Sequence, residues 1–578
     1  MASQWGSKMT SKVTILGIYD GHDSGAALVR DGAVVAAVSE ERPRTIKHYF
    51  GIPSEAIKHV LGIAEVQPEE IDAIGLAGRW VLGTYPAGSA GKEGVPFKVD
   101  LYEKLSPYLG SSFFANLQLE VFRRFRNIKA LRKVLAVFGL ADKEIIAVEH
   151  HLAHAACAYR SCPWDDETII LTCDGQGDGI SSTVNVARGN EIERIASSSY
   201  YNSVCDSVYS EVTAYLGMKR WDHEYKVMGL APYGTHEDCL SVMRRVVKID
   251  SKNPLTFKNT SGACNTQVYK KLRKWLDGKR FDNIAAAVQR HYEELMCGWV
   301  RNAVKATGIH RIACSGGGFL NVKANKLIRE MPEVEEVFFY PAAGDEGLAA
   351  GAALEGYYEF CKRDGIRPSK RALTDLYLGP SYPSDAVIPH LKESHVDFTR
   401  IGDSTDEVVD LLVRGKVVAW FDGRMEYGPR ALGHRSILAD PRHQDVKRTL
   451  NSQIKMRDWF MPFASSILED QMATYLNNPC YAPYMILAFD TTENFRDIQA
   501  AIHPQDLTAR PQIVRKEWNE RYWKVIDSFR SKTGVAALLN TSFNLHGYPI
   551  VCTPEQAVWT YNNSRLDAMV IGDCLVRR

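Results

Sequence analysis

Short β-branched, apolar segments that end at turns rich in glycine and aspartate constrain the fold of this chain most strongly. They are Val13–Tyr19, Thr168–Thr172, Arg311–Cys314 and Val337–Tyr340. Segments with apolar residues at helical spacing, such as Ile284–Thr307, lie between them. Two further apolar runs, Ala26–Val29 and Ala33–Val38, flank the dipeptide Asp31-Gly32, which predicts a hairpin. Because alternating strands and helices build layered sheets, the sequence predicts an α/β fold.

The length of 578 residues exceeds what one hydrophobic core supports, so more than one domain is expected. A helical pattern over Asp345–Arg363 ends in Asp364–Lys370, which has the composition of a linker. Beyond it, Val417–Phe421 and Val535–Leu539 have the character of new buried strands. We therefore predict two domains, residues 13–364 and residues 372–578.

Composition excludes several classes of partner. The net charge is +1, so no global field attracts nucleic acid or an anionic membrane. No apolar run approaches the roughly 18 residues of a membrane helix, and the polar start lacks a secretion signal. The 12 cysteines contain no CxxC pair, which indicates free thiols. We expect a cytoplasmic protein without nucleic-acid or membrane partners, and a homodimer is left open.

The segment Glu149–His154 has the spacing of a metal-binding helix. On a helix, His150 and His154 lie one turn apart on the same face, where two imidazoles can share one ion. Asp174 and Asp345 follow predicted strands, and strand ends are where α/β sheets place ligand groups. Two imidazoles with carboxylates suit Fe(II), Mn(II) or Zn(II). The alternative is that the two histidines are surface residues without a ligand role.

The triplet Gly316, Gly317, Gly318 follows a predicted strand and precedes Asn321. Glycines permit close backbone approach, and their N–H groups can hold phosphate. With the turns Gly17–Gly25 and Gly175–Gly179, the triplet forms a set of glycine turns after strands. This arrangement resembles the nucleotide cleft of the superfamily of actin, sugar kinases and chaperone ATPases.

The second half of the chain carries basic side chains on loops that contain glycine and proline. Arginine suits bidentate phosphate contacts, lysine supplies a point charge, and nearby hydroxyl and amide groups fix orientation. A phosphate site is therefore predicted from Arg424, Arg430, Lys455, Arg457, Arg510, Asn540 and Ser542.

Six motifs together make the chain similar to the O-carbamoyltransferases of antibiotic and Nod-factor biosynthesis. They are Gly21–Leu28, Glu40–Arg42, His150–Ala155, Lys226–Ala231, Gly428–Gly433 and Leu539–Asn544. The resemblance runs from about Ile15 to Val576, nearly the whole chain.

The resemblance implies an N-terminal actin-like domain, similar to the threonylcarbamoyl-transfer proteins, and a C-terminal YrdC-like domain with a twisted α/β sheet. The second would form carbamoyl-adenylate from carbamoyl phosphate and ATP, used with Mg2+. The first would transfer the carbamoyl group to a hydroxyl of a small-molecule natural product.

The resemblance also implies roles for individual residues. His22, beside Asp23, would be the general base, and His150, His154, Asp174 and Asp345 would hold iron(II) or another divalent metal. The nucleotide-binding set would be Gly316, Gly317, Gly318, Asn321 and Lys226. Arg430, Lys455, Arg510 and Ser542 would bind carbamoyl phosphate and the ATP phosphates, with Asn540 nearby. Met461 stands where a relative has arginine, and Arg457 or Arg435 are the candidates to compensate.

Two other functions explain part of the sequence. A tRNA-modifying threonylcarbamoyl enzyme shares the chemistry, but the balanced charge argues against it. An ATP-binding actin-fold module without catalysis explains the glycine turns but leaves His22 and the basic second half unexplained. The acceptor is not readable, and the segment Arg79–Arg126 is predicted to determine acceptor specificity.

Overall fold

The computed structural model describes residues 12–79, 128–263 and 266–578. Apart from Arg79, the predicted specificity segment Arg79–Arg126 lies outside the described residues. The chain forms two compact units that divide between Leu373 and Thr374. The segment Val38–His48 belongs to the second unit, although the sequence prediction placed it in the first. The reason is tertiary, because the side chain of Arg42 and the backbone around it are held by residues of the second unit.

The first unit contains two larger sheets. The first comprises β1 (Thr14–Tyr19), β2 (Gly25–Arg30), β3 (Ala33–Ser39), β4 (Ala73–Ala77) and β5 (Glu144–Val148), in the order β3-β2-β1-β4-β5. β1 pairs antiparallel with β2 and parallel with β4. The predicted hairpin is confirmed, since Asp31 and Gly32 link β2 and β3 with φ angles of 50° and 80°.

The second sheet repeats this arrangement. Its strands are β6 (Thr168–Gly177), β7 (Ile180–Arg188) and β8 (Glu191–Ser199), and, after the small pair β9 (Val247–Ile249) and β10 (Phe257–Asn259), β11 (Arg311–Ser315) and β12 (Glu336–Phe339). The order is β12-β11-β6-β7-β8, with β6 antiparallel to β7 and parallel to β11. One strand order thus occurs twice in the unit, which is the duplicated architecture of the actin-like fold, and the predicted fold class is confirmed.

Helices of the first unit cover and connect these sheets. They are Ser54–Ala64, Ile128–Val137, His150–Ser161, Glu211–Tyr215, Glu224–Leu230, Glu237–Met243, Thr266–Trp275, Phe281–Thr307, Val322–Arg329 and Leu348–Asp364. The last of these packs so closely on the first sheet that a Cβ on Gly17 would lie 2.0 Å from the carbonyl oxygen of Ala349. A Cβ on Gly351 would lie 2.1 Å from the carbonyl oxygen of Ala153. The helix that follows Asp345 therefore packs directly against the helix that carries His150 and His154.

The second unit is built on one eight-stranded mixed sheet. Its strands are β13 (Phe398–Arg400), β14 (Val418–Phe421), β15 (Arg435–Ala439), β16 (Ala464–Leu468), the separate pair β17 (Phe489–Asp490) and β18 (Thr508–Ala509), β19 (Gln512–Val514), β20 (Ala537–Ser542), β21 (Ala568–Ile571) and β22 (Cys574–Arg577). The order is β13-β22-β21-β14-β15-β20-β16-β19. This mixed sheet with helices agrees with the α/β class expected for this half of the chain.

Helices of the second unit are Glu41–Arg44, Ser384–Glu393, Asp406–Val413, Gln444–Leu450, Met472–Tyr475, Glu520–Thr533 and Pro554–Asn562. The core between sheet and helices contains Phe421, Leu539 and Met569, all fully or almost fully buried. Among the described residues of either unit, no helix is both long and apolar enough to span a bilayer.

A directional chain of hydrogen bonds fixes the helix His150–Ser161 to the second sheet. Nε2 of His151 donates to the carbonyl of Ile180 at 3.0 Å, so Nδ1 accepts from the hydroxyl of Thr172 at 2.8 Å. The Thr183 hydroxyl then donates to Thr172, and the Asn185 amide donates to Thr183. Burial and the neighbouring His150 lower the pKa of His151 to about 3, so the folded chain keeps this imidazole neutral.

We expect the protein to lose stability as the pH falls below about 6.5, because the unfolded chain then protonates a histidine that the folded chain keeps neutral. Urea unfolding at pH 6.5, 5.8 and 5.0 measures the slope of the free energy of unfolding against pH. His151→Gln should unfold more easily throughout, with a flatter slope between pH 6.5 and 5.0. His310→Gln, at an exposed histidine, is the control and should keep the wild-type slope. Equal slopes for wild type and His151→Gln would contradict this account.

Candidate functional site

Four side chains meet where strands of the first unit end. His150 and His154 lie on the helix His150–Ser161, Asp174 lies in β6, and Asp345 precedes the helix Leu348–Asp364. The helix N-terminus is held by the Glu149 carboxylate, which accepts from the backbone N–H groups of His151 and Leu152. The sequence prediction placed His150 and His154 on one helix face, and their ring centroids lie 4.9 Å apart.

The donor atoms of this cluster have the spacing expected around a single ion. Nε2 of His150 lies 3.3 Å from Asp174 Oδ2 and 3.5 Å from Asp345 Oδ1. Nε2 of His154 lies 3.4 Å and 3.6 Å from the same two atoms. Ligand bonds of roughly 2.1 Å in a tetrahedron put neighbouring donor atoms about 3.4 Å apart. Asp345 Oδ1 is buried and makes no hydrogen bond within the described residues, so the residues present fit a divalent metal.

The charges within the cluster link metal binding to the release of protons. Burial lowers the pKa of His154, but the hydrogen bond with Asp174 and the nearby carboxylate of Asp345 outweigh it and raise the pKa to about 9. Burial raises the pKa of Asp174, whereas hydrogen bonds from His150 and His154 hold it well below its usual range. At neutral pH, an ion that takes these nitrogens must displace protons.

The turn after β1 brings His22 into the same unit. His22 Nδ1 lies 2.9 Å from Asp23 Oδ2, and Asp23 has a φ angle of 59°. The hydroxyl of Tyr19, at the end of β1, donates to Asp345 Oδ2 at 2.9 Å. A Cβ on Gly21 would lie 2.3 Å from that hydroxyl, so the turn requires glycine there. Tyr19 therefore ties the turn that carries His22 to the cluster.

The glycine triplet lies directly against Asp174. Gly316 has a φ angle of 104°, and a Cβ there would lie 2.3 Å from the carbonyl oxygen of Cys173. A Cβ on Gly317 would lie 2.9 Å from Asp174 Oδ1. Gly318 also approaches Cys173, because a Cβ on Gly318 would lie 3.0 Å from Cys173 Sγ. The close approach of this turn to the cluster is thus one reason for the three glycines.

The other two predicted nucleotide-binding residues lie on helices. Asn321 is the N-cap of the helix Val322–Arg329, accepts from Ala324 N, and exchanges two hydrogen bonds with Gln289. Lys226 lies on the helix Glu224–Leu230 and is half-buried. Asn321 is therefore a capping and bridging residue in this structure.

In the second unit, Lys455 meets the end of β20. Its buried ammonium group donates to Ser542 Oγ at 3.1 Å and to Asn544 Oδ1 at 2.7 Å, and also to the Ser542 and Asn544 carbonyls. Burial and the charge of Arg457 hold the pKa of Lys455 well below its usual range. The sequence analysis selected Lys455 and Ser542 but missed Asn544, which lies two residues further along the same motif.

Several arginines crowd beside Lys455. Burial, together with the charges of Arg430 and Arg457, holds the pKa of Arg510 well below its usual range. Arg457 acts on Lys455 in the same way. A group of buried side chains of like charge is a candidate site for an anion. The structure thus brings together four of the predicted phosphate residues, Arg430, Lys455, Arg457 and Arg510.

Other predicted phosphate residues have structural contacts. Arg424 donates to the carbonyls of Leu378 and Gly379, at 3.0 and 3.3 Å. The amide nitrogen of Asn540 donates to the carbonyl of Ala431, to Ser466 Oγ and to Gln512 Oε1.

Arg435 and Met461, singled out in the sequence, are both buried. Arg435 is fully buried and donates to the carbonyls of Asp422, Gly423, His434 and Pro380. Its guanidinium group is therefore occupied with the backbone. Met461 is 7% exposed, and its N–H donates to the carbonyl of Asp458.

The loop that carries Arg430 is fixed on several sides. One carboxylate oxygen of the buried Glu426 accepts the N–H groups of Leu432, His434 and Arg435, at 2.7, 2.7 and 3.0 Å. Carbonyls of residues 431–433 accept from the side chains of Asn540, Tyr377, Gln512 and Asn519. At the start of the loop, Arg42 donates to the carbonyl of Gly428 at 2.6 Å. Glu426 was not singled out from the sequence, because a buried acid is not distinguishable there from an exposed one.

Comparisons with known proteins identify the family of the chain. Residues 14–354 match the family model "Carbamoyltransferase N-terminus", and residues 409–578 match "Carbamoyltransferase C-terminus". The nodulation protein NolNO of Sinorhizobium fredii is 33% identical over 96% of this chain and 79% of its own length. The protein sll1178 of Synechocystis is 32% identical over 96% of this chain and 95% of its own length.

Among solved structures, HypF of T. kodakarensis aligns with a TM-score of 0.34 at 14% identity, over 63% of this chain and 50% of that one. This likeness is low, and the fold assignment rests on the strand order described above. The family models cover more than half of the chain and follow one another in the expected order. The expectation of a carbamoyl-transferring enzyme is confirmed, and the chain belongs to the carbamoyltransferase family.

Proposed function

We propose that the protein is an ATP-dependent O-carbamoyltransferase that acts on a hydroxyl of a small-molecule natural product. The crowding of Arg430, Lys455, Arg457 and Arg510 carries this proposal, because burial and neighbouring positive charge disfavour the protonated forms of Lys455 and Arg510, which a bound polyanion would favour. Carbamoyl phosphate and ATP, the latter with Mg2+, are the anions that carbamoyl activation requires. The second unit would thus make carbamoyl-adenylate, and the first would deliver the carbamoyl group.

Activation consists of two balanced steps. Water releases phosphate from carbamoyl phosphate and leaves carbamate. A carbamate oxygen then attacks the α-phosphorus of ATP and displaces pyrophosphate. The cationic cluster neutralises the phosphate oxygens in both steps. The loop that Glu426 fixes holds Arg430 in place before the substrates arrive.

Transfer requires a base for the acceptor hydroxyl. His22 Nδ1 lies 2.9 Å from Asp23 Oδ2, so this carboxylate would orient the imidazole, which in its neutral form would take the hydroxyl proton. The acceptor oxygen bonds to the carbamoyl carbon, and the bond from that carbon to the AMP oxygen breaks. His150, His154, Asp174 and Asp345 would hold the metal, with iron(II) expected. Such an ion would supply positive charge and Lewis acidity to the reaction.

Metal content tests the first unit. Wild-type protein, purified under reducing conditions with Fe(II), should hold about one ion per chain, and the His150→Ala plus His154→Ala variant should hold none, because two of the four ligands are gone. Elemental analysis measures this. His310→Ala, at an exposed histidine of the same unit, is the control and should keep its metal. Unchanged metal content in the double variant would remove these residues from the site.

Two variants separate the half-reactions. Arg430→Ala should abolish pyrophosphate release from ATP and carbamoyl phosphate but keep transfer from supplied carbamoyl-adenylate. His22→Ala should do the reverse, with transfer reduced by roughly two to four decades, the effect of a lost general base. Transfer is read by mass spectrometry as acceptor plus CONH, after a screen of hydroxylated natural products. Equal loss of both steps in either variant would contradict the division of labour.

The hydrogen bonds that Glu426 accepts from the Arg430 loop, called the clamp below, should affect both the stability of the protein and the formation of the adenylate. Glu426→Ala leaves three buried N–H groups without their acceptor, at a cost of roughly 1–3 kcal/mol for each. Glu426→Gln keeps an oxygen at that position and should cost less on both measures. Urea unfolding and pyrophosphate release are the measurements, and Glu517→Ala, at an exposed glutamate, is the control. A fully stable and active Glu426→Ala protein would refute the clamp.

A further inference from the structure

Trp221 combines exposure with a fixed position. Its side chain is 62% exposed, which is unusual for so large an apolar group. Its φ angle of 61° lies in the left-handed region, where bulky residues are strained. Strain of this kind persists only where surrounding contacts impose it, and it clusters at ligand sites.

Two hydrogen bonds impose this position. The indole Nε1 donates to Asp206 Oδ1 at 3.0 Å, and the backbone N–H of Trp221 donates to Glu224 Oε1 at 2.7 Å. Glu224 also accepts from the Ser210 hydroxyl at 2.8 Å. Asp206 is 7% exposed and lies in the π-helix Cys205–Ser210, a form of helix frequent at functional sites. The indole ring is therefore anchored at its edge while much of its surface stays open to solvent.

The anchor leads directly to the metal cluster. The backbone N–H of Asp206 donates to the Ser203 hydroxyl at 3.0 Å, and that hydroxyl donates to the carbonyl of Asp174 at 3.3 Å. A Cβ on Gly175 would lie 2.7 Å from Asp206 Oδ1. Trp221 thus lies two side chains away from the backbone of a predicted metal ligand, next to the turn that follows it.

The surroundings of Trp221 indicate the chemical class of ligand. An indole face suits the C–H face of a saturated ring, and carboxylates accept hydrogen bonds from hydroxyl groups. Two carboxylates hold Trp221 itself, those of Asp206 and Glu224, whereas Glu211 and Asp222 are paired with Arg220 and Lys219. The carboxylates of Asp206 and Glu224 at the edge of the ring favour a neutral or amino-bearing polyol, because such a ligand donates hydrogen bonds.

We infer that Trp221 is a stacking platform for a saccharide ring of the acceptor, held beside the metal cluster by Asp206 and Glu224. The role as an acceptor subsite rests on the proposed transfer reaction, but the binding of a saccharide to Trp221 does not. Trp221 is then a specificity-determining residue, which selects cyclic over acyclic hydroxyl compounds.

Binding is tested on the full chain labelled with 5-fluorotryptophan. The 19F resonance that Trp221→Phe removes is assigned to Trp221 and followed during titration with cellobiose, maltose and chitobiose. At least one disaccharide should shift this resonance, whereas glycerol at equal hydroxyl concentration should not. The resonance of Trp559, also exposed and assigned in the same way, is the control and should stay in place. A Trp221 resonance that no disaccharide moves would overturn the inference.

Kinetics test the role in transfer. With a disaccharide that shifts the resonance as acceptor, Trp221→Ala should raise the acceptor KM about tenfold, and Trp221→Phe less than about threefold. Pyrophosphate release without acceptor should be unchanged in both variants. An unchanged acceptor KM in Trp221→Ala would refute the acceptor subsite. Wild-type protein that binds the disaccharide but releases no pyrophosphate would instead refute the proposed function and leave the binding site standing.

Discussion

The contact of His150 and His154 with Asp174 and Asp345 is the interaction on which the first unit depends. Four ionisable groups meet in the interior, where each would be costly alone, and they are stable there only because opposite charges face one another within 3.6 Å. The surrounding backbone approaches these side chains very closely. A Cβ on Gly177 would lie 2.0 Å from the His150 ring, and one on Gly317 would lie 2.9 Å from Asp174, so both turns require glycine.

The second unit uses the opposite strategy. Its basic side chains are buried beside further positive charge, and both effects lower the pKa of Lys455 and of Arg510, so attraction between these side chains cannot hold the site together. The backbone holds it instead. Glu426 satisfies N–H groups of the loop, and the side chains of Asn540 and Gln512 satisfy its carbonyls. Rigid positioning of like charges is the condition for electrostatic stabilisation of an anion, because no reorganisation is then needed when the substrate arrives.

Sequence reasoning located the groups with local signatures and missed those that depend on tertiary contacts. The four-residue spacing of His150 and His154 and the position of Asp174 at a strand end are readable from periodicity and turn composition. Tyr19, Glu426 and Asn544 have no such signature. The segment Val38–His48 belongs to the second unit because Arg42 reaches the carbonyl of Gly428, a contact 386 residues apart in sequence. No local pattern encodes a pairing of that separation.

The same reasoning explains why acceptor recognition is expected away from regular strands. Groups that take part in a reaction must be held to a fraction of an ångström, and the proposed metal ligands His150, His154 and Asp174 lie on a regular helix and a regular strand. A side chain that selects among acceptors must instead be exposed, and its residue type must be able to vary between related proteins without disturbing the reaction centre. Trp221 is both firmly positioned and exposed. Asp206 and Glu224 fix its edge by hydrogen bonds, while much of its surface is open to solvent. Replacing the ring alters what stacks on it, whereas replacing Asp206 would also disturb the turn after Asp174.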